Sequence, residues 1–394
     1  RSVISQIFLV YCIAFCTIGT FNALQNLGGA GQEKPYIANA ATAINFALLG
    51  CICFLGGPLV NRFDVRTSLA IGTIGDPIFA AGLIVSSKYG ITTFLLVAAV
   101  IRGLSTGLFW AAEGFVINAY PKSYQRARCI TGWVAAKELG SLISSAINLG
   151  ISVKDNKKGT ISYTVYYITI GIMCFALPCS LLLSPTNKVY HKDGQRVDID
   201  NELAEKRPLK SEYTDLWKKL CTKEVLLMLP LACYAYFYFS SMHTYVGKHF
   251  TVRSRALLAF CTAISAILGS AITALFCDSR YGTRSNLSKL PQKRRYSTIF
   301  VLLLSAISWA YFGWAIFSIR SHRKPIDWSP SASTFLKYGM APLLLAFSMQ
   351  ALQSQLYWTA SSYSTSLRDI ALLTSIIRGT ESLAQSIAYG INAS

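Results

Sequence analysis

The sequence predicts an all-α integral membrane protein made of long helices in two related halves. Three observations carry this. Of 394 residues, 53% are hydrophobic and 14% are charged, against roughly 25% charged in soluble domains. The apolar residues gather in runs of about twenty, the length a helix needs to cross roughly 30 Å of hydrocarbon. No stretch alternates apolar and polar residues over ten-residue windows, which argues against a membrane β-barrel.

Eleven runs read as spans: 3–24, 36–60, 68–87, 91–119, 130–152, 162–184, 224–246, 255–277, 297–319, 334–358 and 370–393. The last is the least apolar, because SIIRGTESLAQS interrupts it. Residues 185–223 are the only long hydrophilic connection. They divide the chain into a first bundle at 1–184, a cytoplasmic linker at 185–223 and a second bundle at 224–394. Within the linker, SEYTDLWKKL reads equally as an amphipathic surface helix and as a solvated connection. Six spans precede the linker and five follow it. The opening run is longer than the apolar core of a signal peptide, so no cleavable signal is expected. Arg1 at the start suggests a piece of a longer product.

The net charge is +19. The basic residues are scattered through short loops rather than gathered on one face or tail, so the lipid bilayer, not nucleic acid, is the expected partner. With the N-terminus cytoplasmic, 22 Lys and Arg fall on inner segments and 11 in outer loops, the positive-inside bias. The protein is then multi-pass, in the plasma membrane or an endomembrane. Its 11 cysteines lie mostly inside apolar runs without zinc or redox spacing and read as packing residues. His191, His243, His249 and His322 read as lying in or near loops. There is no P-loop, HExxH or GxSxG, so neither ATP-driven transport nor enzymatic activity is indicated, and no cofactor is expected.

One short stretch interrupts the apolar pattern. GGPLVNRFDVRTS, residues 56–68, forms a tight basic turn between the second and third spans, with Pro58 favouring a helix end. A related turn, ALFCDSRYGTR, follows the eighth span at 274–284. Asn61 and Asp278 stand at the two helix exits, 217 residues apart. Each is followed by two basic residues, Arg62 and Arg66 in the first turn, Arg280 and Arg284 in the second. Tandem six-helix halves produce such a repeat. Gly57 through Arg66 resembles the G-x-L-a-D-r-x-G-r-r motif of the major facilitator superfamily, with Asn61 where Asp is usual and Asp64 where Gly is usual. More narrowly, the chain is similar to the UNC93-like branch, in particular its fungal membrane proteins. The resemblance rests on Asn26–Gly31, on Gly107–Gly114, on LLLSPTNKVYHKDGQRV leaving the sixth span, and on Leu356-Tyr357-Trp358 leading to Arg368-Asp369. It implies a major-facilitator-type fold, two pseudo-symmetric six-helix bundles around a central cavity, of which about eleven helices are in this chain. It also implies a cytoplasmic gate motif at Gly57, Asn61, Arg62, Arg66, Asp278, Arg280 and Arg284.

Charges inside spans cost roughly 2.5–3.5 kcal/mol at a helix centre and are functional candidates by default. They are Asp76, Arg102, Glu113, Lys137, Glu138, Lys337, Arg378 and Glu381. Asp76, Arg102, Glu113 and Lys137 are the expected substrate or ion pathway. Asp76 precedes Pro77, a place for a kink or a polar pocket. Arg102 reads either as a clamp for an anionic group or as a structural partner of Asp76. Glu113 and Lys137 lie at similar depth on neighbouring antiparallel helices and are expected to pair. Arg378 and Glu381, three apart, can satisfy each other. Lys337 lies near an outer end and is expected to snorkel. The aromatic run Tyr234–Phe239 reads as packing more readily than as cavity lining.

The leading functional reading is a secondary transporter of a small solute, with proton coupling open. The alternative is a non-transporting UNC93-like trafficking chaperone or regulatory partner of another membrane protein, to which Asn61 lends weight.

Overall fold

A computed structural model describes residues 2–32, 35–121, 126–153, 159, 161–185, 188–191, 194, 208–277, 290–320, 324–329, 331–361 and 367–393. Among these there are long helices and two isolated bridges, Ser2 with Tyr190 and Phe250 with Ile326, but no strand. We number the rods in chain order: α1 Val3–Asn26, α2 Pro35–Phe63, α3 Val65–Tyr89, α4 Thr92–Ala119, α5 Arg126–Ser152, α6 Tyr163–Leu181, the short α7 Leu209–Leu220, α8 Lys223–His249, α9 Val252–Cys277, α10 Leu290–Ile319, α11 Ala332–Ser361 and α12 Leu367–Ile391. Each of the eleven expected spans falls on one of the long rods. The linker segment SEYTDLWKKL lies in α7, whose Leu216 and Leu220 pack near Leu373 and Ile376.

Local sequence explains how the rods begin, bend and touch. Ser2 caps α1 by accepting from the Ser5 amide at 3.2 Å. The middle of α1 loosens into a π-turn at Phe15–Gly19. There α1 meets α5 so closely that a side chain on Gly19 would strike the main chain of Lys137 and Gly140, and one on Gly140 that of Phe15. In α3 the helix breaks at Thr73 and Ile74 and restarts at Gly75. Pro77 then lies in a first turn, where its missing N–H costs nothing. The irregularity expected at Asp76-Pro77 is therefore a break just before it.

Helices α1–α6 pack as one group, through α2 on α4, α3 on α4, α1 on α5 and α6 on α3. Helices α8–α12 pack as another, through α9 and α10 on α11 and α8 on α12. Two long seams join the groups, α2 against α12 and α5 against α9. Among the described residues, nine helices are long and apolar enough to cross a membrane; α5 and α12 fall outside that set. These two carry Lys137 and Glu138, and Arg378 and Glu381, and both run along the seams. A helix covered by protein need not present an apolar surface to lipid. By contrast α10 turns Ile299, Leu303, Ile307 and Phe317 outward, each more than 40% exposed, as a lipid-facing helix must.

Successive crossings define two faces. One bears the N-terminus and the turn at Asp64. The other bears the first loop, the α5–α6 and α8–α9 connections and the end of α12. At the first-loop face a single core runs across both groups, joining Leu24, Leu27 and Phe79 to Val252, Ala256 and Tyr389. At the N-terminal face the large cluster around Val10, Phe109 and Val116 belongs to the first group alone.

Candidate functional site

The buried charges converge where the groups meet. Arg102, on α4, donates from Nε to Asp76 Oδ1 at 2.7 Å, and both are almost fully buried. Its Cζ lies 3.4 Å from the centroid of the Phe21 ring. Of the two roles open to Arg102, the structure contains the pair with Asp76. Its Nη1 has no hydrogen-bond partner among the described residues.

Glu113 and Lys137 do not pair as expected. Lys137 Nζ lies 3.0 Å from Glu138 Oε1, its sequence neighbour. Consecutive residues on a helix diverge, but Lys137 is long enough to reach back. Glu113 instead accepts a hydrogen bond from Trp133 Nε1, one turn before Lys137 on α5. Glu113 Oε2 is buried and has no partner among the described residues. Lys137 and Arg378 nevertheless lie near enough to act on the Glu113 charge.

Arg378 and Glu381 satisfy each other, as their spacing suggests, at 3.1 Å. Tyr357 on α11 adds a hydroxyl donor to Glu381 Oε2 at 3.0 Å. The Arg378 guanidinium carbon sits 3.6 Å from the Trp110 ring centroid and 5.3 Å from that of Tyr236. Trp110 is on α4, so this cation–π contact crosses between the groups. Trp110 and Trp133 stack edge to face at 5.6 Å. The α8 aromatics divide: Tyr238 and Phe239 pack on each other, while the Tyr236 hydroxyl accepts from Gln353 at the polar centre. Lys337 is exposed beside Trp314 and Tyr338, at 5.2 and 5.5 Å, as a snorkelling lysine should be.

The turn motif is only partly described. α2 runs through Gly57 to Phe63, but the side chains of Asn61 and Arg62 lie outside the described residues, as do Asp278, Arg280 and Arg284 entirely. Arg66 donates from Nη2 to the Leu181 carbonyl at 2.6 Å, which ties α3 to α6 within the first group. Asp64 has φ 63° and ψ 149°, a backbone region that glycine alone enters freely. The resembling motif has glycine at this position.

Sequence misplaced one buried residue and passed over another. His243 is not near a loop: it is buried inside α8, with Nδ1 2.7 Å from the Tyr389 hydroxyl and Nε2 3.0 Å from Asn26 Oδ1. An amide oxygen only accepts, so Nε2 is the donor to Asn26, while Nδ1 shares a hydrogen bond with the tyrosine hydroxyl. Arg255, the first residue of the expected span 255–277, is fully buried at the start of α9. Its Nε donates to the Leu27 carbonyl at 2.5 Å, Nη1 to Gly159 at 2.9 Å, and Nη2 to Gly28 at 2.9 Å and Gln32 at 3.4 Å. Sequence carried no signal for either contact, because the partners lie 217 and 228 residues away and, for Arg255, are main-chain atoms.

Among the described residues, eleven long helices, nine of them apolar enough to cross a membrane, pack in two groups with charges buried along their contact, the build of a polytopic membrane protein of the transporter-fold class. The chain belongs to the Major Facilitator Superfamily, whose family model matches residues 4–389, and it is similar to UNC93-like proteins of fungi and plants. It is 26% identical over 403 residues to an UNC93-like protein of Schizosaccharomyces pombe, covering 98% of this chain and 76% of that protein. It is 30% identical over 397 residues to the Notoamide biosynthesis cluster protein O' of Aspergillus versicolor, covering 100% and 83%. Among solved structures, the E. coli xylose transporter XylE in a partially occluded inward-open conformation superposes with a TM-score of 0.68 at 14% identity, covering 99% of this chain and 90% of that one. The human organic anion transporter MFSD10 gives 0.58 at 12% identity, covering 100% and 93%. At such identities the likeness is one of fold.

Proposed function

We propose that this protein is a secondary transporter that carries a small solute by alternating access, with its N-terminus cytoplasmic. In this reading residues 1–184 and 224–394 rock against each other along the α2–α12 and α5–α9 seams. The observation that carries it is the division of labour among polar contacts. The ion pairs Asp76–Arg102, Lys137–Glu138 and Arg378–Glu381 each lie within one bundle, so rocking leaves them intact. Apart from Arg255, whose partners are neutral main-chain carbonyls, the contacts that cross between bundles include neutral hydrogen bonds and ring contacts, such as Asn39 to Thr244 at 2.9 Å, His243 to Asn26, and Arg378 over Trp110. Such contacts break and remake without stranding an ion in hydrocarbon.

Glu113 is the group we assign to proton coupling. Asp76, Glu138 and Glu381 each have a cation within 3.1 Å; Glu113 has an indole N–H and a bare oxygen. A buried carboxyl with no cation of its own is the one that a travelling proton can neutralise. The Aspergillus relative takes its name from a biosynthesis cluster, which supports a small organic molecule as cargo. Asn61, where the motif has Asp, favours the chaperone or regulatory reading as the alternative.

The test is uptake into proteoliposomes with a broad panel of small solutes, with and without a pH gradient. Saturable, gradient-driven flux in the wild type, with the gradient response lost in Glu113→Gln, is the expected result. Silence across the panel together with a stoichiometric co-purifying membrane protein favours the alternative.

A further inference from the structure

Among the described residues, Arg255 is a cation whose hydrogen bonds all end on main-chain carbonyls. Four contacts use four of the five N–H groups of its guanidinium. It is fully buried, and a buried guanidinium without such partners would be prohibitively costly. Its acceptors are not on its own bundle. Arg255 opens α9 in the second bundle; Leu27, Gly28 and Gln32 form the first loop, and Gly159 the α5–α6 connection, all in the first.

The loop's shape is made for this contact. Gly28, Gly29, Ala30 and Gly31 all have positive φ, at 80°, 54°, 50° and 79°. That run of left-handed residues winds the turn tightly. The carbonyls on either side of it, Leu27 and Gly28 before and Gln32 after, converge on one guanidinium. Gly28 also lies against Gly247, main chain to main chain, so that a methyl group there would strike the other bundle. The neighbouring contacts act at the same face: His243 with Asn26, and Asn39 with both Thr244 and the Asn392 carbonyl, the last two at 2.9 Å.

We propose that Arg255 is a latch that holds the first-loop face shut, and that the Leu27–Gln32 turn with Gly159 is its keeper. The chemistry suits repeated opening. When the bundles part at this face, water reaches the guanidinium and the carbonyls together, so neither is left buried and unpaired. An Asp or Glu keeper would bind more strongly and release less readily. Neutral carbonyls spread over four bonds give closure that depends on the fork geometry of arginine, which lysine cannot reproduce.

This inference rests on the alternating-access reading, and its test reads the gate rather than flux, so the two can fail separately. Spin-label side chains are introduced at Val153 and Lys324, both exposed at the first-loop face and on opposite bundles. Inter-label distances are then measured by pulsed electron resonance in lipid nanodiscs. The wild type should give a dominant short distance. Arg255→Gln should raise the ratio of long to short distances at least about tenfold, since charge-assisted hydrogen bonds lost from one state shift a two-state equilibrium by that order. Arg255→Lys should fall between. A monodisperse Arg255→Gln with the wild-type distribution overturns the latch. If that variant does not purify folded, Arg255→Lys decides, and a distribution identical to wild type overturns the proposal. Loss of flux in the wild type on every solute would instead count against the transport reading alone.

Discussion

Asp64 shows how a single backbone angle carries information about a motif. Its φ of 63° lies where a side chain is strained, and strain of that kind costs on the order of 1 kcal/mol or more. Asp64→Gly should therefore stabilise the detergent-solubilised protein by about 1 kcal/mol, read as a rise in Tm; a fall would mean that a contact of the carboxylate outweighs the relief. Gly28 and Gly247 make a contrasting pair. A methyl group at Gly28 meets both a positive φ and the facing main chain, while at Gly247 it meets Gly28 only at ordinary contact, 3.4 Å. Gly28→Ala should lower Tm clearly and Gly247→Ala should leave it nearly unchanged. Asp327, in the α10–α11 loop, is gripped by Arg253 and also accepts from Ser254 and Thr251, both at 3.0 Å. The Arg253 hydrogen bonds hold its carboxyl below the usual carboxylate range. A depressed folded-state pKa stabilises the fold above the unfolded value, about 3.9, and that contribution is lost as pH falls through the lower folded value. Between pH 6 and pH 3, Asp327→Asn should lose less stability than the wild type in thermal melts; parallel losses would remove Asp327 from the pH response.

At the scale of elements, α5 and α12 are the informative helices. They are the least membrane-like by composition, and each packs one face along a seam between the groups while Leu139 and Ile143 of α5 and Ile387 of α12 stay exposed. On α12, removing one partner of the Arg378–Glu381 pair should leave the other as an uncompensated buried charge, at a cost of about 3–5 kcal/mol. Arg378→Met should thus be strongly destabilised, and adding Glu381→Leu should recover most of the loss. If the double variant is no more stable than the single, the two charges are not a unit. Apolar run lengths located all eleven long helices, because crossing hydrocarbon leaves few alternatives to a helix. The i, i+3 spacing disclosed Arg378–Glu381, whereas Glu113, expected to pair with Lys137, meets Trp133 one turn earlier on the same helix. Its partner was hidden because tryptophan N–H groups leave no charge pattern to read. His243 and Arg255 were hidden for a related reason: their partners are an amide, a hydroxyl and main-chain carbonyls on distant helices, and no short-range spacing reports these.

For the whole molecule, the N-in orientation and the rocking of two bundles are joined claims. Cysteines placed within 153–160 and 321–332 should be labelled from outside intact cells, whereas those in 188–220 and 284–294 should not; labelling at 284–294 would invert the orientation. The central claim is that the bundles open at one face as they close at the other. It is tested most directly by measuring two distances in one preparation, Val153 to Lys324 at the first-loop face and Thr67 to Tyr296 at the N-terminal face. All four positions are exposed. The pairs should be followed in nanodiscs from pH 5 to pH 8, in the wild type and in Glu113→Gln. The account predicts reciprocal populations: the long first-loop distance rises as the long N-terminal distance falls, and Glu113→Gln abolishes the pH response of both. A single unchanging distance at both faces, under every condition and in both proteins, would contradict it.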